Sequence, residues 1–111
     1  MAERFYRGEW PNKVTVREGA ETWALDPRVD LRTHSAAGFA WDDGKSNGAR
    51  QLALALLADA LGDDARAEQL HHEFCSRVVA IVPKRWTITR SRIVALAANI
   101  ELRQRWNDAG S

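Results

Sequence analysis

Between residues 3 and 25 the apolar positions come in short runs with partial alternation. "ERFYRGEW" and "KVTVRE" carry aromatic and β-branched side chains, and Pro11 and Asn12 separate them. These features predict two strands. Gly19 breaks the second run, and "ETWAL" follows as a short third strand, so that Val14, Val16, Trp23 and Leu25 face one core. From Asp26 to Asn47 the periodicity stops. "DPRVDLRTHSAAGFAWDDGKSN" mixes Pro27, Gly38 and Gly44 with short polar residues and reads as an ordered loop, pinned to the core by Phe39 and Trp41. A loop of this length in a small domain is either functional or wrongly assigned.

Helical spacing follows. From about Ala49 to Leu61 the chain is apolar almost all round, with Leu52, Leu54, Leu56, Leu57 and Leu61 between alanines, as expected of a central buried helix. Ser46 or Asn47 caps its start and Gly62 stops it. Asp63 or Asp64 then caps a second helix at once, which predicts an αα-hairpin with a very short turn. That second helix runs to Val82, with Ala67, Leu70, Phe74, Val78 and Ile81 as its core stripe, and Pro83 ends it. After "KRWTI", Thr89 or Ser91 caps a third helix reaching about Arg105, with Ile93, Leu96, Ala97 and Ile100 inward. The expected fold class is α+β: a small N-terminal antiparallel β-sheet (about 3–25), a long ordered loop (26–48), then three packed α-helices (49–106). At 111 residues this is one domain able to bury a core without staples.

Composition narrows the function classes. The net charge of +1 gives no bulk attraction to nucleic acid. Its distribution is uneven, because residues 84–106 carry Lys84, Arg85, Arg90, Arg92, Arg103 and Arg105 against Glu101 alone, while residues 42–73 are acidic. Five Trp supply anchors for a core or an interface. The single Cys75 excludes an internal disulfide and fits a reducing compartment. "MAERFYRGEW" has no apolar core of signal-peptide length and no run approaches a membrane span, so a cytoplasmic protein without membrane contact is expected.

Several candidate chemistries can be weighed residue by residue. "GFAWDDGKSNGARQLALALL" approaches a phosphate-binding loop, but five residues, not four, separate Gly38 from Gly44-Lys45-Ser46. Asp42 and Asp43 would also repel a phosphate. A weaker anion site remains at the helix start, where Lys45, Asn47 and Arg50 gather near exposed N–H groups. In "HHEFC", His71 and Cys75 share a helix face at i and i+4, and His34 is the only other source of an imidazole beyond His72. Cys75 beside Phe74 fits a small core residue better than a metal ligand or thiolate nucleophile. Asp30, His34 and Ser35 adjoin one another without converging as a triad requires, and local bonds within the loop are expected of Asp30 and Ser35. No catalytic, metal or cofactor set is expected. "PKRWTITRSRI" interleaves Arg85, Trp86, Arg90 and Arg92, which suits an acidic protein surface or a nucleic-acid backbone. The alternative is that Trp86 is core and the arginine stems cover its rim.

"YRG", "LRTHSAAGFAW", "QLALALLADALGDDARA", "EFCSRVVAIVP" and "WTIT" together resemble a small uncharacterised family of bacterial, plasmid and phage proteins. The resemblance spans roughly Tyr6 to Thr89. Members carry a Gly/Ser-rich loop with a Gly-Pro-Ala step before the Gln-Leu-Ala-Leu helix; here Ser46-Asn47-Gly48-Ala49-Arg50 stands in its place. The mobile-element setting implies accessory roles by association only. The leading expectation is a non-enzymatic protein-interaction module, an accessory of a phage or plasmid that binds a host complex, of the anti-CRISPR or anti-defence kind. Its contact residues would be Lys84, Arg85, Trp86, Arg90, Arg92, Arg103 and Arg105. The alternatives are a nucleic-acid-binding regulator using the same basic segment, and an anion binder at Lys45, Asn47 and Arg50.

Overall fold

The computed structural model describes residues 3–36, 38–41 and 45–109. Strands β1 (Arg4–Glu9), β2 (Lys13–Glu18) and β3 (Glu21–Ala24) form where alternation predicts them, followed by the loop and helices α1 (Asn47–Leu61) and α2 (Asp64–Arg77). A 3₁₀ turn at Val79–Ile81 leads to a fourth strand, β4 (Arg85–Thr89), and then to α3 (Arg90–Ala109). The class is α+β as expected, but the stretch assigned to helices is interrupted by β4. All neighbours in the sheet are antiparallel, in the order β3-β2-β1-β4.

The sheet has one packed face and one open face. Tyr6, Gly8, Val14, Val16, Trp86 and Ile88 turn toward the helices, while Phe5, Arg7, Thr15, Arg17 and Thr87 turn outward. Gly8 lies opposite Trp86 on β4. A Cβ at Gly8 would stand 2.1 Å from Trp86 Cε2, so the missing side chain is what lets the indole lie across β1. Trp23 shares the inward phase of Val16 but is 37% exposed, because β3 is the outer edge strand. The Arg4 guanidinium covers its ring at 5.2 Å.

Helix α1 is buried almost all round, as its composition predicts. Ser46 is its cap, accepting from Ala49 N–H at 3.1 Å. Gly62 ends it with φ 63°, and Asp63 caps α2 through Arg66 N–H. Helix α2 stops at Arg77, short of the expected Val82. In the 3₁₀ turn the inward position passes to Val79, and Ile81, expected in the core, is 79% exposed. The change from about 100° to about 120° per residue moves Ile81 off the stripe. Thr89 caps α3, accepting from Arg92 N–H at 3.1 Å. Ile93, Ala97 and Ile100 are buried inward, with Leu96 packed beside them.

The side chain of Gln51 ties the first half of the loop to α1. Gln51 is fully buried within the apolar helix. Its Nε2 donates to the carbonyls of Pro27 (2.5 Å) and Arg32 (3.1 Å). Its Oε1 accepts from the N–H groups of His34 (2.7 Å) and Ser35 (3.1 Å). Arg28, with φ 56°, adds an outer tie by pairing with Asp30 and with Asp64 on α2. Farther along, Trp41 is buried with its ring edge-on to Trp86 at 5.6 Å and to Trp10 at 6.0 Å. Trp41 and Phe39 are thus the anchors that the sequence predicts, Phe39 packing partly buried against the core.

Replacing Gln51 with Leu leaves two loop N–H groups and two carbonyls without their partner. The expected loss is about 3 kcal/mol of folding stability in urea denaturation, since each stranded buried group costs about 1–3 kcal/mol before water reaches it. A loss below about 1 kcal/mol would contradict the clamp.

Candidate interaction groove

Three places gather the residues that sequence reasoning singles out. The first is the turn before α1. Lys45 and Asn47 are exposed, and Arg50 donates to Asn47 Oδ1 at 3.1 Å. Ser46 fills the cap, and the chain at Phe39–Ala40 crosses tightly over Gly48, where a Cβ would meet Ala40 N at 2.8 Å. The turn is therefore occupied by its own cap and by the loop. Asp42, Asp43 and Gly44 lie outside the described residues.

The second place is the underside of the loop, where His34 meets α2. His34 Nε2 and His71 Nε2 are 2.9 Å apart, and the His71 Nδ1–H donates to the Glu68 carbonyl at 2.6 Å. Because a carbonyl only accepts, neutral His71 keeps a bare Nε2, which takes a proton-bearing Nε2 from His34. His72 stacks against His71 at 4.2 Å between centroids. Burial, then the neighbouring imidazoles and the charges of Arg32 and Arg50, hold His34 below its ordinary pKa. Burial likewise lowers His71, opposed by the Glu68 carbonyl. Cys75 is buried, and among the described residues no three His, Cys, Asp or Glu side chains gather as metal ligands. Asp30 holds Arg28 and Ser35 donates its backbone N–H to Gln51, so these loop residues serve the loop's own structure.

The third place takes up part of the basic segment. A groove of about 460 Å³ opens beside β4. Leu52 and Leu56 of α1 form its floor, Val79 and Val82 one wall, and Trp86 and Ile88 the other. Arg85 and Arg92 stand at its rim, both exposed. The fold thus unites Arg85, Trp86 and Arg92, with Trp86 as a buried wall and not a projecting contact. Lys84 lies next to this group, 5.9 Å from the Trp10 ring.

The remaining basic residues go elsewhere. Arg90 turns away and donates to the Ala60 carbonyl at 2.8 Å, in the last turn of α1, where a cation complements the helix dipole. Arg103 lies with Leu102 and the 78% exposed Trp106 on the outward face of α3, and Arg105 is exposed nearby. Glu101 is engaged by Arg66 of α2, which lowers its pKa. Sequence reasoning missed the apolar part of the groove because it treated "RWTIT" as a connection. The period-two pattern of Trp86 and Ile88 against Arg85, Thr87 and Thr89 is the signal that marks the strand.

A family model matches residues 6–99, most of the chain. The chain belongs to DUF6166, a family of unknown function. The DUF6166 stretch begins in β1 and ends within α3, so it contains the Gln51 clamp, the histidine pair and every lining residue of the groove. No curated protein and no solved structure matches the chain. Among the described residues no helix is long and apolar enough to cross a membrane.

The lowered pKa values of His34 and His71 predict a pH response for this DUF6166 chain. The ordinary value for both imidazoles is 6.5, and both are lowered in the folded state. As pH falls through the unfolded value, the unfolded chain takes up protons first, so folding stability is full above it and drops below it. Urea midpoints between about pH 7.5 and 5.5 should therefore fall with pH, and His71→Phe should flatten that slope. A slope unaffected by the substitution would contradict the assignment.

Proposed function

We propose that this DUF6166 protein is a non-enzymatic interaction module that holds a partner protein in the groove between α1 and β4. One observation carries the reading: an apolar hollow of about 460 Å³ flanked by Arg85 and Arg92. Its size falls among formed binding sites, typically about 300–1,000 Å³. The lining is aliphatic and aromatic, with Thr87 and two arginines as its polar members. Such a set binds and orients; it offers no carboxylate or imidazole to move a proton. Arginines at an apolar rim favour a partner that brings an apolar anchor with acidic neighbours.

The division of the basic segment weighs against the nucleic-acid alternative. Backbone recognition adds up over many phosphate contacts along one track, and here Arg90 is directed to Ala60 while Arg103 and Arg105 sit on α3. The narrower reading, that the partner is a host complex blocked by a phage or plasmid accessory in the cytoplasm, is supported by the resemblance of the sequence blocks and by a single, buried cysteine.

Immobilised wild-type protein and the Arg85→Glu/Arg92→Glu variant, exposed to the same host lysate, test the proposal. Quantitative mass spectrometry should find a protein retained by the wild type and reduced at least about tenfold on the variant, as truncating or reversing rim and hot-spot charges does. Identical retention profiles would sink the reading.

A further inference from the structure

The groove has a main-chain wall as well as side-chain walls. Among the described residues strand β4 pairs with β1 alone, so one of its edges is the end of the sheet. The phase of that pairing is fixed by Trp10, whose N–H donates to the Lys84 carbonyl at 3.0 Å. Directly opposed antiparallel residues alternate between hydrogen-bonded and non-bonded pairs. Lys84, Trp86 and Ile88 therefore bond toward Trp10, Gly8 and Tyr6. Arg85 and Thr87 must turn their N–H and C=O groups the other way, to the free edge. Four consecutive residues, Arg85 to Ile88, line the groove, so it opens along that edge.

From this we infer that the partner enters as an extended segment that adds a fifth strand to the sheet beside β4. The inference rests on the interaction reading above and specifies its mode. The residues of the added strand that flank Thr87 exchange main-chain bonds with it. Side chains of the added strand in the phase of Trp86 and Ile88 drop into the groove over Leu52, Leu56 and Val82. Those in the phase of Arg85 and Thr87 stay on the open face. The occupant is thus a peptide apolar at alternate positions, with acidic residues toward its ends to meet Arg85 and Arg92.

Charge decides between this occupant and a second copy of the chain. Two β4 edges joined together would bring Lys84, Arg85 and Arg92 of both copies along one seam. Basic residues and a proline at the head of an edge strand are a common guard against such self-pairing, and Pro83, Lys84 and Arg85 stand there. The same charges admit an acidic strand. The neutral centre at Thr87 leaves the edge itself available.

The test begins with random linear peptides displayed on phage and panned against the full chain. Enriched peptides should alternate apolar and polar residues and carry Asp or Glu. A fluorescent synthetic copy of the strongest should bind wild type in an anisotropy titration and lose affinity on Arg85→Glu/Arg92→Glu. Thr87→Pro removes one outward N–H without touching a bond to β1, a place where a strand tolerates proline. Circular dichroism should show it folded, and peptide affinity should drop roughly tenfold. A peptide with backbone N-methyl groups at alternate positions gives the same readout without altering the protein. If charge reversal weakens binding while Thr87→Pro and N-methylation leave it unchanged, strand addition is overturned and the groove reading stands. If no peptide is enriched, or binding ignores the charge reversal, both fall.

Discussion

One buried amide holds the unusual part of this fold in place. Helix α1 is the most apolar element of the chain, yet Gln51 is fully buried on it. Such a group is tolerated only when its donors and acceptor are met, and the loop meets all of them with four main-chain bonds. Without the amide, the loop carbonyls and N–H groups would have to find water, and the apolar side of α1 beneath them would be exposed. The clamp thus lets a long irregular segment substitute for a layer of regular structure. It also fixes the path of the chain toward Trp41, which packs against Trp86 and so braces β4 from within.

From that clamp the two sides of α1 acquire different tasks. Gln51 faces the loop, whereas its neighbours Leu52 and Leu56 form the floor of the groove. Trp86 connects them, lying across Gly8, touching Trp41 and walling the hollow. The tryptophans are divided accordingly. Trp41 and Trp86 belong to the core, while Trp10, Trp23 and Trp106 keep substantial exposure. A DUF6166 chain built this way sets the hollow between a helix floor and a strand edge, with arginines at the rim.

Much of the architecture is legible in the residues. Alternation marks β1 and β2, the alanine–leucine run marks α1, and Ser46, Gly62, Asp63 and Thr89 mark their caps and stop. These signals are local, so they survive without tertiary information. What stays hidden depends on distant partners. "RWTIT" becomes a strand because β1 offers it an edge and a glycine for Trp86 to cover. Ile81 leaves the core because the chain must tighten to deliver that strand. Gln51 looks like an ordinary helix former until the loop folds over it, and the basic segment looks continuous until Arg90 is drawn to Ala60. The candidate contacts Arg85 and Arg92 are readable as charge; the hollow between them is not, since its floor comes from α1 and its walls from the distant stretch 78–88.

Strand addition at the groove requires that β4 carry an open main-chain edge there. Residue-resolved amide hydrogen exchange of the unliganded protein measures this directly. An open edge predicts an alternating pattern: Trp86 and Ile88 amides exchange only with global opening, while those of Arg85 and Thr87 exchange orders of magnitude faster. Equal, strong protection of all four amides would mean that the edge is already covered, and would contradict it.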